Sequence, residues 1–146
     1  MIEKLKAQIE TDEGRVNEVY LCSAAKPTFG VGHMILATDP EYQQPPGTPV
    51  SRERVAEAFD KDIRNTIEDC RRLYEGFDGF PEEVQLILGN MMFNLGQTRL
   101  RGFSAMRAAI LAGDYATAAD EMLDSKWHKQ LPRRSTRLHD RMLALA

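Results

Sequence analysis

A glutamate and a cysteine near the N-terminus have side chains that could carry out catalysis. Glu13 stands at the expected end of a helix, directly before Gly14. The partial negative charge of a helix C-terminus disfavours a carboxylate by about 0.3–1 kcal/mol, which favours the protonated form that a general acid needs. Cys22 offers a strongly nucleophilic sulfur, although an unassisted thiol is only about a few per cent thiolate at pH 7. The alternative for Glu13 is an ordinary solvated helix end, and the alternative for Cys22 is a half-buried packing thiol.

The elements that would position these residues follow from the spacing of apolar side chains. Ile2, Leu5 and Ile9 recur at helical spacing and predict an amphipathic helix over residues 2–13. The spacing of apolar residues then changes from that of a helix to that of a strand. This change predicts a strand over residues 16–20, a turn over 22–27 and a second strand over 28–33. This predicts a small β-hairpin region directly after the glutamate.

The second predicted strand has a distinctive alternation of side chains. Phe29, Val31 and His33 share one face, and Thr28, Gly30 and Gly32 share the other. Glycines at alternate positions leave one face bare, which is typical of a place where a ligand or another chain approaches closely. We expect His33 to point into the core, away from the face of Thr28.

Helices dominate the rest of the chain. Residues 37–50 hold four prolines and predict an irregular connection, after which Ser51 caps a long helix to about Tyr74. Residues 84–95 are apolar nearly all round, as in a central helix of a bundle. Shorter helices are predicted over 104–112, over 115–123 with Asp114 as N-cap, and after Pro132. We expect one α+β domain over residues 1–146. A β lobe of about 14–50 would join a helical lobe of 1–13 and 51–146.

Composition excludes several classes of protein. The 146 residues carry 19 Lys and Arg against 22 Asp and Glu, a net charge of −3 that argues against a dedicated nucleic-acid binder. Two cysteines, Cys22 and Cys70, are too few for a disulfide scaffold and lack metal-ligand spacing. No apolar run resembles a signal peptide or a membrane span. We expect a monomer made in a cytoplasm, without metal, cofactor or stable membrane association.

The spacing of the N-terminal residues resembles a known active-site signature. Glu13 is followed after eight residues by Cys22 and after five more by Thr28, which opens the sequence Thr-Phe-Gly-Val-Gly-His. This pattern resembles the phage-type lysozymes and endolysins, in the branch with Cys instead of Asp. A motif beginning at Asn90 and another running from Ser125 to Arg134 extend the resemblance over nearly the whole chain.

The resemblance implies a lysozyme-like fold and a muramidase that hydrolyses the β-1,4 bond after N-acetylmuramic acid in peptidoglycan. Glu13 would be the proton donor, and Thr28 would help to hold the attacking water. Arg134 would reach across a cleft toward Glu13, and Asp62 would pair with His33. The implied substrate-binding residues are Met34, Phe93 and Asn94. Such an enzyme would lyse a bacterial host, reaching the wall from the host cytoplasm by a separate route.

Departures from the family pattern leave alternatives open. With Cys22 at the second acidic position, the sulfur could attack the anomeric carbon, act as a base, position a water or merely fill space. The same bond could be cut without water, as in a lytic transglycosylase, or the chain could be an inactive peptidoglycan-binding module. Met106 and Glu121 replace small polar residues at two further sugar contacts implied by the family. Subsite preference therefore stays open.

The C-terminal part of the chain is strongly basic. Residues 126–141 hold six Lys and Arg against one acidic residue, Asp140. A solvated helix face is the ordinary explanation, and attraction to an anionic cell wall is the functional one. Nucleic-acid binding is not favoured, since the segment lacks interleaved aromatic residues and any known motif.

Overall fold

A computed structural model describes all 146 residues of the chain. The helices are α1 (Ile2–Glu13), α2 (Arg52–Leu73), α3 (Glu82–Arg101), α4 (Ser104–Leu111), α5 (Tyr115–Leu123), α6 (Lys126–Gln130) and α7 (Pro132–Leu143). The strands are β1 (Val16–Leu21), β2 (Pro27–Gly30) and β3 (His33–Met34). A mostly helical chain with one small antiparallel sheet confirms the predicted α+β, lysozyme-like class.

Two compact units can be distinguished. The N-terminal unit comprises residues 2–65, and the C-terminal unit comprises residues 66–146 with Met1. The predicted β lobe began at residue 14, whereas the N-terminal unit of the structure also includes α1 and the first part of α2. Lys6 of α1 donates a 2.6 Å hydrogen bond to Asp60 of α2 and lies over the ring of Phe59. These contacts join α1 to the first part of α2, and Val55 and Ala58 of α2 pack against Phe29 of the sheet.

The sheet has the order β1-β2-β3 and is antiparallel throughout. Residues 28–33 do not form the single strand that we expected. The chain turns at Val31 and Gly32, and β2 pairs with β3 so that Phe29 lies opposite His33. Positive φ values of +66° at Gly30 and +61° at Gly32 permit this reversal, because L side chains rarely adopt them. The alternating residues therefore form a tight hairpin instead of one strand.

A small apolar core supports the sheet. Its buried members are Val19, Phe29, Val50, Val55 and Ala58, with Ile35 packed against them. Gly30 is part of this packing, since a Cβ there would lie 3.0 Å from the side chain of Val55. The face that we expected the glycines to leave bare is thus covered at Gly30 by the side chain of Val55.

Backbone hydrogen bonds hold the proline-rich connection against the sheet. The N–H of Val19 donates to Thr48 O at 2.9 Å, and that of Val50 donates to Asn17 O at 2.9 Å. The connection ends at Ser51, whose hydroxyl accepts a 3.1 Å hydrogen bond from the N–H of Arg54. Ser51 therefore caps α2 as predicted.

Helices alone build the C-terminal unit. The α3 helix is buried along most of its length, as its continuous apolar sequence predicts, and it is kinked at Gly96, where φ is +79°. Asp114 caps α5 by accepting from the N–H of Thr117. The five-residue helix α6 was not predicted, and its Trp127 is buried. None of the helices combines the length and apolar character needed to cross a lipid bilayer.

Candidate active site

Glu13 is the last residue of α1, as the sequence predicts. Gly14 ends the helix with a φ of +76°, and its N–H donates to Glu10 O at 2.8 Å. The side chain of Glu13 is half-buried. Its carboxyl group is therefore both accessible and placed at the negative end of the helix dipole.

The turn between β2 and β3 closely approaches this carboxyl group. A Cβ built on Gly32 would lie 2.8 Å from Oε2 and 3.2 Å from Cδ of Glu13. Real Cβ atoms essentially never approach a neighbour so closely. Glycine at position 32 thus gives the backbone its positive φ and leaves room for the carboxyl group.

A second chemical group lies at the turn between β1 and β2. Cys22 follows β1 and is half-buried, and its N–H donates to Lys26 O at 2.9 Å. Backbone hydrogen bonds from Lys26 and Ala24, with a smaller contribution from the Thr28 side chain, lower the pKa of the Cys22 thiol despite partial desolvation. The turn therefore stabilises the thiolate, which is the nucleophilic form of cysteine.

Thr28 lies beside this thiol but is only 2% exposed. Its Oγ1 is 2.9 Å from Lys26 O, to which the hydroxyl donates. A hydroxyl has one proton, so donation to a Cys22 thiolate would replace donation to Lys26. The hydroxyl of Thr28 is therefore positioned to orient Cys22, and the predicted role of Thr28 in holding the attacking water stays a prediction.

Tyr20 lies near Glu13 and Cys22, although no role was predicted for it from the sequence. It lies opposite Thr28 in the sheet, and Thr28 in turn lies opposite Met34. Burial, followed by the negative charges of Glu13 and Cys22, raises the pKa of the Tyr20 phenol. Tyr20 is therefore a neutral hydrogen-bonding group within electrostatic range of both. Met34, a predicted substrate-binding residue, is 55% exposed.

His33 lies on the other face of the sheet, where it is 6% exposed and packs 4.9 Å from the ring of Phe29. The prediction of a core histidine is confirmed. Its Nδ1 lies 2.7 Å from Asp62 Oδ2, as the resemblance implies, and its Nε2 lies 2.8 Å from Asp39 Oδ2. Although burial alone would lower the pKa of His33, hydrogen bonds and attraction from the two aspartates raise it.

Asp39, the second partner of His33, was not among the residues predicted from the sequence. Its Oδ2 also accepts from the N–H of Leu36 at 2.8 Å, and its Oδ1 accepts from Arg54 at 3.1 Å. The Asp39-Pro40 dipeptide is typical of a turn and could be recognised in the sequence. It could not show that Asp39 would be a partner of His33.

Three further predicted site residues lie in the C-terminal unit. Arg134 donates through Nε to Asn90 Oδ1 at 2.9 Å, and Asn90 is 1% exposed. Phe93 and Asn94 lie on α3 and are half-buried. Asn94 Oδ1 accepts from Trp127 Nε1 at 2.8 Å, which fixes the orientation of its amide. The predicted approach of Arg134 to Glu13 stays a prediction.

The N-terminal unit therefore contains a carboxyl group, a thiol with a lowered pKa, a phenol and a hydroxyl. A half-buried carboxyl can donate a proton, and a thiolate can act as a nucleophile or a base. The structure contains no cluster of three or more His, Cys, Asp or Glu residues arranged to hold a metal ion. Cys70, the second thiol, is buried, and burial followed by the charge of Asp69 raises its pKa to about 12. It is a packing residue.

Comparison with known proteins identifies the family. The phage lysozyme family model matches residues 10–144. "Probable T4-type lysozyme 2" from Dictyostelium discoideum is 25% identical over 157 aligned positions, which cover 94% of this chain and 92% of that protein. "Probable T4-type lysozyme 1" from the same organism is 26% identical, with the same coverage of both chains.

A phage structural protein is also similar. The pre-baseplate central spike protein Gp5 of Enterobacteria phage T4 is 26% identical over 149 aligned positions, which cover 89% of this chain but 26% of the spike protein. The family model spans nearly the whole sequence and includes both Glu13 and Arg134. This chain therefore belongs to the phage lysozyme family and is a lysozyme, a glycoside hydrolase that degrades peptidoglycan.

Proposed function

We propose that this lysozyme is a muramidase of the Glu–Cys–Thr type, which hydrolyses the β-1,4 bond between N-acetylmuramic acid and N-acetylglucosamine. The observation that carries the proposal is the placement of Glu13 beside Gly32, in the same unit as the stabilised Cys22 thiol. Cleavage of a glycosidic bond requires one group that protonates the leaving oxygen and one that acts at the anomeric carbon. Glu13 and Cys22 are suited to these two tasks.

Glu13 is proposed as the general acid. Its carboxyl group lies at the C-terminal end of α1, and Gly32 excludes side-chain atoms from the space beside Oε2. Donation of this proton to the glycosidic oxygen would let the N-acetylglucosamine side depart as an alcohol. The carboxylate that remains could take a proton from water in the second half of the reaction.

Cys22 is proposed to act at the anomeric carbon. Its thiolate could form a sulfur–carbon bond as the carbon–oxygen bond breaks, and water would then hydrolyse that intermediate. Alternatively, it could take a proton from the attacking water. Hydrogen bonds from Lys26, Ala24 and Thr28 lower the pKa of the thiol, and both routes need the resulting thiolate. Thr28 is proposed to orient the sulfur, or a water beside it.

The remaining predicted residues are proposed to hold the glycan strand or support the catalytic groups. Met34 would provide an exposed apolar contact, and Phe93 and Asn94 would bind sugar groups. Arg134 is proposed as a supporting positive charge, held by its hydrogen bond to Asn90. We further propose that the enzyme acts as a monomer and lyses a bacterial host, reaching the wall from the cytoplasm by a separate route.

Cleavage of purified peptidoglycan by the wild type and by Glu13→Gln tests the proposal. The wild type should release N-acetylmuramic acid reducing ends, and Glu13→Gln should be slower by about 10²–10⁴-fold at equal folded concentration. Glu10→Gln, one turn earlier on α1, is the matched control and should retain activity. Release of 1,6-anhydro ends would instead show a lytic transglycosylase, and equal, negligible release by wild type and Glu13→Gln would show an inactive binding module.

A further inference from the structure

Positive charge is concentrated on the surface formed by α6 and α7. Residues 126–141 hold six Lys and Arg and one acidic residue, although the whole chain has a net charge of −3. Two of these cations are half-buried: Arg134 donates to Asn90, and Arg141 pairs with Glu83. The other four are exposed, and we call them the cationic ridge: Lys126, Lys129, Arg133 and Arg137.

The ridge includes a shallow recess on α7. It has a volume of about 430 Å³ and is lined by Pro132, Arg133, Thr136, Arg137 and Asp140. The two arginines are one helical turn apart, which separates their Cβ atoms by about 5–6 Å. Two guanidinium groups and a hydroxyl that line one recess can bind phosphate oxygens through several hydrogen bonds, those from arginine being charge-assisted.

Acidic side chains mark the two ends of the ridge. Asp140 lies at the far end of the recess and contacts His139 at 2.8 Å. At the other end, Glu121 and Asp124 line a separate pocket that Lys126 borders. An anionic partner is therefore attracted along the middle of the ridge, from Lys129 to Arg137, and repelled beyond its ends.

The surroundings of the ridge disfavour two classes of anionic partner. Leu138 and Met142 of α7 are at 0% exposure, and the exposed leucines, Leu131 and Leu143, lie at opposite ends of the helix. The helix therefore presents no continuous apolar face for insertion into a lipid surface. Trp127 is 2% exposed and presents no ring on which nucleic-acid bases could stack. A linear phosphate polymer needs neither an apolar face nor an aromatic platform.

We propose that the cationic ridge binds a wall-linked phosphodiester polymer, such as poly(glycerol phosphate), that is attached to the peptidoglycan the enzyme degrades. This inference rests on the proposed function, because the polymer would hold the enzyme on its substrate. Successive phosphates would occupy the recess between Arg133 and Arg137 and contact Lys129. Like other binding to phosphodiester chains, this binding releases counterions and weakens steeply as salt increases.

Binding to two preparations of the same bacterial walls tests the proposal. One preparation retains its poly(glycerol phosphate), the other has been stripped of it, and phosphatidylglycerol vesicles serve as a third probe. The Glu13→Gln variant is used so that the walls stay intact during sedimentation. A triple variant, Lys126→Gln with Lys129→Gln and Arg133→Gln, removes three ridge charges. The matched control, Arg52→Gln with Lys61→Gln and Arg64→Gln, removes three exposed charges from α2.

The ridge variant should bind polymer-bearing walls at least tenfold more weakly at physiological salt. Its slope of log affinity against log salt should be shallower by about 2–3. Binding of the control should be unchanged, and the single variants Lys129→Gln and Arg133→Gln should each show about one third of the change in slope seen in the triple variant. Equal weakening in ridge and control variants, equal binding to both wall preparations, or binding to vesicles alone would overturn the proposal.

The two proposals can fail separately. Release of reducing ends from stripped walls by proteins that retain Glu13 measures the muramidase activity alone. The ridge variant should cleave stripped walls at the wild-type rate and polymer-bearing walls more slowly at low enzyme concentration. Slower cleavage of stripped walls by the ridge variant would also contradict the inference, because these residues would then contribute to the reaction itself.

Discussion

The Nδ1 atom of His33 lies 2.7 Å from a carboxylate oxygen of Asp62, while Nε2 lies 2.8 Å from Asp39. Both carboxylates are satisfied together only when the imidazole carries two protons, because neutral histidine has one N–H donor. The buried ring therefore links β3 to α2 on one side and to the proline-rich connection on the other. The strength of this link must change with pH.

Asp62→Asn should destabilise the protein most at mildly acid pH. The raised pKa of His33 means that its stabilisation is fully present below the unfolded value of ~6.5 and is lost as pH rises through the folded value. We expect a loss of about 1–3 kcal/mol at pH 5 and a smaller loss at pH 9. Asp60→Asn, which breaks the more exposed Lys6 pair, is the control. Equal losses at pH 5 and pH 9, measured by denaturant unfolding, would contradict this account.

Asp39→Asn should lower the pKa of His33, because the variant loses one of two negative charges that favour the imidazolium. The pKa of Asp39 itself is lowered, since the N–H of Leu36 and the His33 ring outweigh the effect of burial. Its stabilisation is therefore present above the unfolded Asp value of ~3.9 and is lost as pH falls through the folded value. NMR titration of the imidazole protons measures the His33 pKa directly. It should fall further when Asp39→Asn and Asp62→Asn are combined, whereas an unchanged value in Asp39→Asn would remove Asp39 from the network.

Gly32→Ala should impair catalysis as well as stability. The new Cβ would lie 2.8 Å from Glu13 Oε2, and the φ of +61° would be strained for alanine. Gly76→Ala is the matched control, since Gly76 has a φ of +76° but nothing within 4 Å of a Cβ. Both variants should lose about 1–2 kcal/mol of unfolding free energy. Only Gly32→Ala should also lose activity, by about 10²-fold if the carboxyl group is displaced by about 1 Å. Equal activity in the two folded variants would show that Gly32 does not position Glu13.

Local patterns in the sequence were sufficient to predict most helices and the residues that cap them. Ser51 and Asp114 have capping side chains at the starts of amphipathic segments, and both cap helices in the structure. Gly14 ended the first helix as predicted. The alternation also predicted correctly that His33 is buried. Phe29 and His33 face the core both in a single strand and in the hairpin that is present.

The remaining features depend on contacts that the local sequence does not encode. Strict alternation suits a straight strand, and only the positive φ values at Gly30 and Gly32 distinguish the hairpin that is present. Asp39 acquires its partner His33 through folding of the proline-rich connection. The family resemblance implied roles for Cys22 and Thr28, but the lowered thiol pKa and the burial of Thr28 emerged from the hairpin geometry.

Substitutions of Cys22 should separate its chemistry from its packing. Cys22→Asp should keep much of the activity, because a carboxylate restores the two-carboxylate arrangement of most glycosidases. Cys22→Ser should lose about 10²–10⁴-fold in rate, because a hydroxyl of similar size is neither basic nor readily ionised at pH 7. Initial rates of peptidoglycan cleavage at equal folded concentration measure both effects.

Thr28→Val should raise the pKa of the Cys22 thiol, because the Thr28 side chain is one of the groups that lower it. The pH profile of Cys22 alkylation should therefore shift to higher pH in this variant.

Alkylation provides the complementary test of the thiol. An alkylating reagent should inactivate the native enzyme by modifying Cys22, which is half-buried and has a lowered pKa, rather than Cys70, which is buried and has a raised one. Cys70→Ala should therefore be inactivated as fast as the wild type, whereas the residual activity of Cys22→Ser should resist the reagent. Trapping of a covalent glycosyl-enzyme on Cys22, detected by mass spectrometry, would assign direct attack by sulfur rather than base catalysis. If Cys22→Ser cleaves peptidoglycan as fast as the wild type, the thiol has no part in the reaction, and Glu13 must act with a water held by Thr28 alone.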